Sequence, residues 1–82
     1  MATKAQDAAM QLLRQREKKL MESVRNLKVE HILSEINGMS TFIKEYHLEQ
    51  KLVTEIVKGV YGLLMDGERY EEAAGLAKRY RL

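Results

Sequence analysis

The sequence predicts an all-α protein of three or four helices, and three features carry that reading. Proline, the strongest helix breaker, is absent from all 82 residues, and glycine occurs only five times. Apolar residues recur at helical spacing along two long stretches. Residue types that start and stop helices stand at the ends of those stretches. The predicted arrangement is a long N-terminal helix, a short helix and an antiparallel helical hairpin in a single domain over residues 1–82.

The first helix opens at Thr3, where Thr3-x-x-Gln6 has capping-box spacing. Good helix formers dominate from there to Glu35, and Asn37-Gly38 marks the predicted stop, since glycine readily takes the left-handed conformation that ends a helix. A helix over 4–36 would be about 50 Å long, whereas a compact chain of this size has a radius of gyration of about 12 Å. Part of the rod is therefore expected to protrude. Met10, Leu13, Leu20, Val24 and Leu27 form one stripe at 3-4 spacing, with Glu17 in the slot between Leu13 and Leu20. Continued, the stripe would reach the polar His31 and Ser34; the apolar set shifts instead to Val29, Ile32, Leu33 and Ile36, well round the helix. Helix 1 thus serves two neighbours in series, or it bends near residues 28–30. We assign residues 1–28 to a protruding basic amphipathic arm and 29–82 to the helical core.

Ser40 or Thr41 is placed to cap a short helix carrying Phe42, Ile43 and Tyr46. From about Glu49, Leu52, Val53, Ile56, Val57, Val60, Leu63 and Leu64 define the broad buried face of another helix, ended by Asp66-Gly67. The last helix begins near Glu68 and turns Tyr70, Ala73, Ala74, Ala77 and Tyr80 inward, with acids in its first turns and Lys78, Arg79 and Arg81 in its last, as the helix dipole favours. Gly59 and Gly62 are read as small residues that let this hairpin close tightly. The predicted core comprises Ile32, Leu33, Ile36, Phe42, Ile43, Leu52, Ile56, Val57, Val60, Leu63, Leu64, Tyr70, Ala74 and Ala77.

The stretch Gly59-Val60-Tyr61-Gly62, followed by Gly67-Glu68-Arg69-Tyr70-Glu71-Glu72-Ala73, resembles a degenerate tetratricopeptide helical hairpin. The resemblance covers residues 52–80. It departs from the pattern by one extra residue in the turn and by Tyr61 standing two residues after Gly59 rather than three. It implies helix-pair packing and peptide or protein binding, and it identifies no particular binding residue.

Composition excludes several kinds of chemistry. Without cysteine there is no disulfide, thiolate nucleophile or Cys-ligated zinc. His31 and His47 lie in no recognisable catalytic context. His31 and Glu35, at i and i+4, could share a metal or a hydrogen bond, but a solvated pair at a helix–helix rim explains them better. A carboxylate-bridged di-iron pattern would need Glu at position 28 or 44, and both are Lys. Neither a phosphate-binding glycine loop nor a twelve-residue calcium loop is present. The expectation is a non-enzyme with no cofactor, no metal and no small-molecule substrate. Met1-Ala2-Thr3-Lys4 begins no apolar signal segment and no run is long enough to span a bilayer, so a cytoplasmic setting away from the membrane is expected.

Two functional readings follow. Burying a large apolar side chain is worth about 1.5–3 kcal/mol, so the exposed stripe of Met10, Leu13, Leu20, Val24 and Leu27 calls for a cover. This makes the chain a protein-interaction module (an adaptor, small chaperone or assembly subunit) with that stripe as its interface. The cover is a second copy, a coiled-coil-like dimer first, or an obligate partner protein. The alternative is a small nucleic-acid-binding regulator. Residues 1–30 carry net charge +3 of the chain's +2 total, and Arg14, Lys18 and Arg25, with Arg16 and Lys19 nearby, could lie along phosphates. Glu17 and Glu22 interrupt that patch.

Overall fold

A computed structural model describes residues 3–82; Met1 and Ala2, where the signal-segment reading begins, lie outside the described residues. Four α-helices, and no strand among the described residues, make up the chain: α1 (Lys4–Ser23), α2 (Val29–Glu45), α3 (Lys51–Asp66) and α4 (Tyr70–Tyr80). A 3-10 turn, Val24–Asn26, and two extended residues separate α1 from α2. The hairpin α3–α4 is present, and α3 is the central element, packed against the other three helices and against the turn. The radius of gyration is 12.9 Å and the extents are 40 × 23 × 18 Å.

The start of α1 follows its sequence. The Thr3 amide donates to Gln6 Oε1 at 3.0 Å and the Gln6 amide to Thr3 Oγ1 at 3.1 Å, a complete capping box. Its end does not. The rod predicted over 4–36 breaks at residues 24–28, where Leu27 (φ −100°, ψ 146°) and Lys28 (φ −76°, ψ 158°) leave the helical region. Chain reversal there lays α2 back along α1, so that Gln6 Nε2 reaches the carbonyls of Tyr46 and His47 at 3.4 and 3.3 Å. Of the two readings of the divided apolar pattern, the bend holds. It falls a few residues earlier than residues 28–30.

The turn is fastened from far along the chain. Arg69, at the head of α4, donates from Nη1 to the Val24 carbonyl and from Nη2 to the Leu27 carbonyl, both at 2.5 Å, and pairs with Glu72 at 3.1 Å. The forked guanidinium occupies carbonyls that a continuing helix would have satisfied with its own amides.

The stop predicted at Asn37-Gly38 is overturned. No glycine has a positive φ, and α2 runs through to Glu45. One interior glycine costs about 1 kcal/mol, which four buried side chains at i, i+4, i+7 and i+11 outweigh: Ile32, Ile36, Met39 and Ile43, none more than 1% exposed. The separate short helix is accordingly part of α2. Thr41, read as its cap, donates its hydroxyl to the Asn37 carbonyl one turn back, at 3.1 Å.

Three left-handed residues end the helices, and none is glycine: His47 (φ 55°), Glu68 (φ 60°) and Arg81 (φ 57°). After α2 the Leu48 amide reaches the Ile43 carbonyl at 2.9 Å and the His47 amide reaches Lys44 at 3.2 Å. After α3 the Arg69 amide reaches Leu64 at 2.8 Å and the Glu68 amide reaches Met65 at 3.0 Å. These are Schellman closures. Gly67 stands one residue too early to supply the left-handed position, with φ −86°.

The core contains eight of the residues predicted for it as buried: Ile32, Ile36, Ile43, Leu52, Ile56, Val57, Val60 and Leu64. Leu33, Phe42 and Leu63 pack against it in part. On α4 the predicted face holds in part. Ala73 is buried and Ala77 and Tyr80 partly so, as read, but Leu76 is buried in place of Ala74, and Tyr70 is exposed at the open start of the helix. The glycines also act elsewhere than expected. A Cβ at Gly59 would meet Met21 Cε of α1 at 2.8 Å, one at Gly75 would meet Val29 Cγ2 of α2 at 2.8 Å, and one at Gly62 would meet nothing within 4 Å. Gly59 and Gly75 thus face α1 and α2 respectively, and neither they nor Gly62 is what brings α3 and α4 together.

Candidate interaction surfaces

The stripe predicted as an interface lies inside the chain's own core. Leu13 and Val24 are 0% exposed, Leu20 is 3% exposed, and Met10 and Leu27 pack partly buried against the same cluster. The division into a protruding 1–28 arm and a 29–82 core falls with it. The cause is the turn at residues 24–28: a 50 Å rod outruns its chain, whereas a 20-residue α1 of about 30 Å lies within a 40 Å molecule. An exposed stripe therefore gives no reason for an obligatory companion.

The five candidate phosphate-binding cations are all exposed, and the helix fans them out. At 100° per residue, Arg14 and Arg16 point about 160° apart. Arg14 is held by Glu17 at 3.0 Å and lies on the flank towards α3. Arg16 lies on the opposite flank, its guanidinium carbon 6.0 Å from the Phe42 ring centroid on α2. A bare Gly38 makes room for it, since a Cβ there would stand 3.0 Å from Arg16 Nη2. Lys18 follows Arg14 by one turn and Lys19 follows Arg16 by three residues, so the cations divide between the two flanks. Arg25 belongs to the 3-10 turn.

A groove of about 550 Å³ opens between the first half of α1 and the start of α3, with Met10, Leu48 and Leu52 as its apolar lining and Arg14, Glu49 and Glu55 among its charged residues. At its edge the Lys51 ammonium is raised above its usual value, chiefly by the hydrogen bond it gives Glu49 at 3.1 Å. Among the described residues no cluster of three or more His, Asp or Glu could hold a metal ion. No described helix is long and apolar enough to cross a membrane.

The seam between α1 and α2 carries a surface that the sequence reading missed. Leu12 is 53% exposed and Tyr46 42% exposed. Leu12 stands one turn before Arg16, Arg16 rests over Phe42, and the Phe42 and Tyr46 rings lie 4.7 Å apart, tilted by 41°. Arg16, Phe42 and Tyr46 form a continuous cationic and aromatic strip across the seam, with the exposed Leu12 one turn from Arg16 on the same flank of α1. The signal was present in the sequence, because Leu12 sits off the Met10–Leu13–Leu20 stripe and Phe42 precedes Tyr46 by four. Only the fold-back joins the two halves.

Compared with known proteins, the chain matches no family model, no curated protein and no solved structure.

Proposed function

We propose that the chain is a non-catalytic protein-binding module, an adaptor, small chaperone or assembly subunit, that engages a partner protein through the strip of Leu12, Arg16, Phe42 and Tyr46. The observation that carries this reading is the exposure of Leu12 and Tyr46, each one turn from a member of the Arg16–Phe42 pair and both toward the same end of the seam. Aromatic rings and arginine dominate the energetic centres of protein interfaces. The rigid seam between two packed helices also holds these groups at little entropic cost to a partner. The tetratricopeptide-like character of residues 52–80 supports the same class of function. A cytoplasmic setting accords with a cysteine-free chain, whose fold is indifferent to a reducing environment.

Nucleic-acid binding through Arg14, Arg16, Lys18, Lys19 and Arg25 is the less supported reading. Counterion release rewards cations that track one backbone, and here they diverge on two flanks with Arg14 engaged by Glu17.

The test is a photo-crosslinking residue placed at Leu12 or Tyr46, with Thr54 and Lys78 as exposed controls, in cells that make the protein natively. The reading expects one discrete adduct of the same mass from both strip positions, none from the controls, and its loss in an Arg16→Glu variant of unchanged helicity. Adducts that form equally at all four positions, or at none, would refute it.

A further inference from the structure

We propose that the chain exchanges α1 with a second copy of itself, by straightening residues 24–28 so that α1 and α2 become one continuous helix. The partner is fixed by chemistry: the surface that receives α1 is lined by this chain's own α2 and α3, and only another copy carries the same complement.

Three observations lead there. First, the turn contains no helix breaker. Val24-Arg25-Asn26-Leu27-Lys28 lacks Gly and Pro, and only Leu27 and Lys28 leave the helical region, although Leu and Lys are among the better helix formers. Rotation at two residues restores the helix. Second, the turn is held by a tertiary contact that straightening makes unnecessary. In a continuous helix the Val24 carbonyl exchanges the Leu27 amide, which it accepts at 3.3 Å in the turn, for the Lys28 amide, and the Leu27 carbonyl accepts from the His31 amide, so neither carbonyl needs Arg69. In the folded-back chain the His31 amide turns instead to the Lys28 carbonyl at 3.1 Å. Third, what α1 buries is an internal face. Leu13 and Leu20 recover the same surroundings in a partner copy, along with the Gln6 contacts to Tyr46 and His47. Exchange at a short hinge conserves these contacts while lengthening the helix, which makes it a low-cost route to a two-fold dimer.

The inference is tested on the full chain, refolded over a range of concentrations and sized by light scattering. A concentration-dependent dimer is expected, and Arg69→Ala should raise its association constant by about tenfold or more. Lys28→Pro should abolish it. Lys28 already has φ −76°, Leu27 before it is extended, and the Lys28 side chain is exposed, so proline suits the turn, whereas in a continuous helix it would be an interior breaker. The absence of native cysteine lets spin labels be placed uniquely at Ala8 and Lys44, both exposed. With labelled chains diluted into unlabelled ones, the exchanged dimer should show an intrachain separation of about 54 Å, against a much shorter one in the monomer. A chain that stays monomeric at every concentration, a dimer that survives Lys28→Pro, or a dimer that keeps the short distance would each overturn the proposal. Should Arg69→Ala not fold, the wild-type and Lys28→Pro chains decide it by themselves.

Discussion

Arg69 Nη1 donates to the carbonyl oxygen of Val24 at 2.5 Å, across 45 residues of chain, and this contact helps hold the molecule folded back on itself. With its second bond to Leu27 and its pairing with Glu72, one side chain joins the head of α4 to the break between α1 and α2.

Replacing Arg69 with Ala should therefore lower stability by about 2 kcal/mol, the order expected for charge-assisted bonds at a partly buried site. Arg69→Lys should recover less than half of the loss, since an ammonium cannot span two carbonyls as a planar fork does. Urea denaturation of the three proteins checks both statements.

The α1 stripe should behave as core. Leu13→Ala is expected to cost about 2–5 kcal/mol, and Leu20→Asp should abolish cooperative folding rather than dissociate an oligomer. Leu12→Asp, on the exposed flank, should stay within about 0.5 kcal/mol of the parent. Thermal melts with sizing in parallel distinguish these outcomes.

How much of this was legible in the sequence depended on the range of the physics involved. The capping box at Thr3, the hairpin between α3 and α4, and the buried face of α3 follow from residues within a few turns of each other, and all are found. The break at residues 24–28 was only half visible. The displaced apolar sets indicated a bend, but the bonds that fix its place come from Arg69, more than 40 residues away. The error at Asn37-Gly38 was one of weight, because a local stop signal was preferred to Met39 and Ile43, which continue the face begun by Ile32 and Ile36. The undivided rod over 4–36, which had to protrude, came from the missing break at residues 24–28. The proposed interface followed from the rod. The Leu12–Tyr46 strip stayed hidden because its halves meet only after the chain reverses.

The glycines should separate by what each one faces. Gly62→Ala meets open space and should stabilise by up to about 1 kcal/mol. Gly59→Ala should be near neutral, since the end of the flexible Met21 side chain can yield. Gly75→Ala meets a stiff β-branched Val29 and should destabilise by about 1 kcal/mol or more. Chemical denaturation midpoints of the three variants give the order.

Glu68→Gly should stabilise by about 0.5–1 kcal/mol, because a non-glycine residue at φ 60° bears a steric cost that glycine does not. His47→Gly is expected to do the same after α2. A helix-interior glycine change such as Gly62→Ala raises stability through the opposite preference, so the two kinds of gain should add.

Hydrogen exchange under native conditions tests the central claim, that the N-terminal helix is part of the core, most directly. The amides of Leu13 and Leu20 should open with the same free energy as those of Ile56 and Val60 in α3, as members of one cooperative unit. If the α1 amides exchange at the rate of a fraying terminus while α3 stays protected, α1 is a detached arm and the account is wrong.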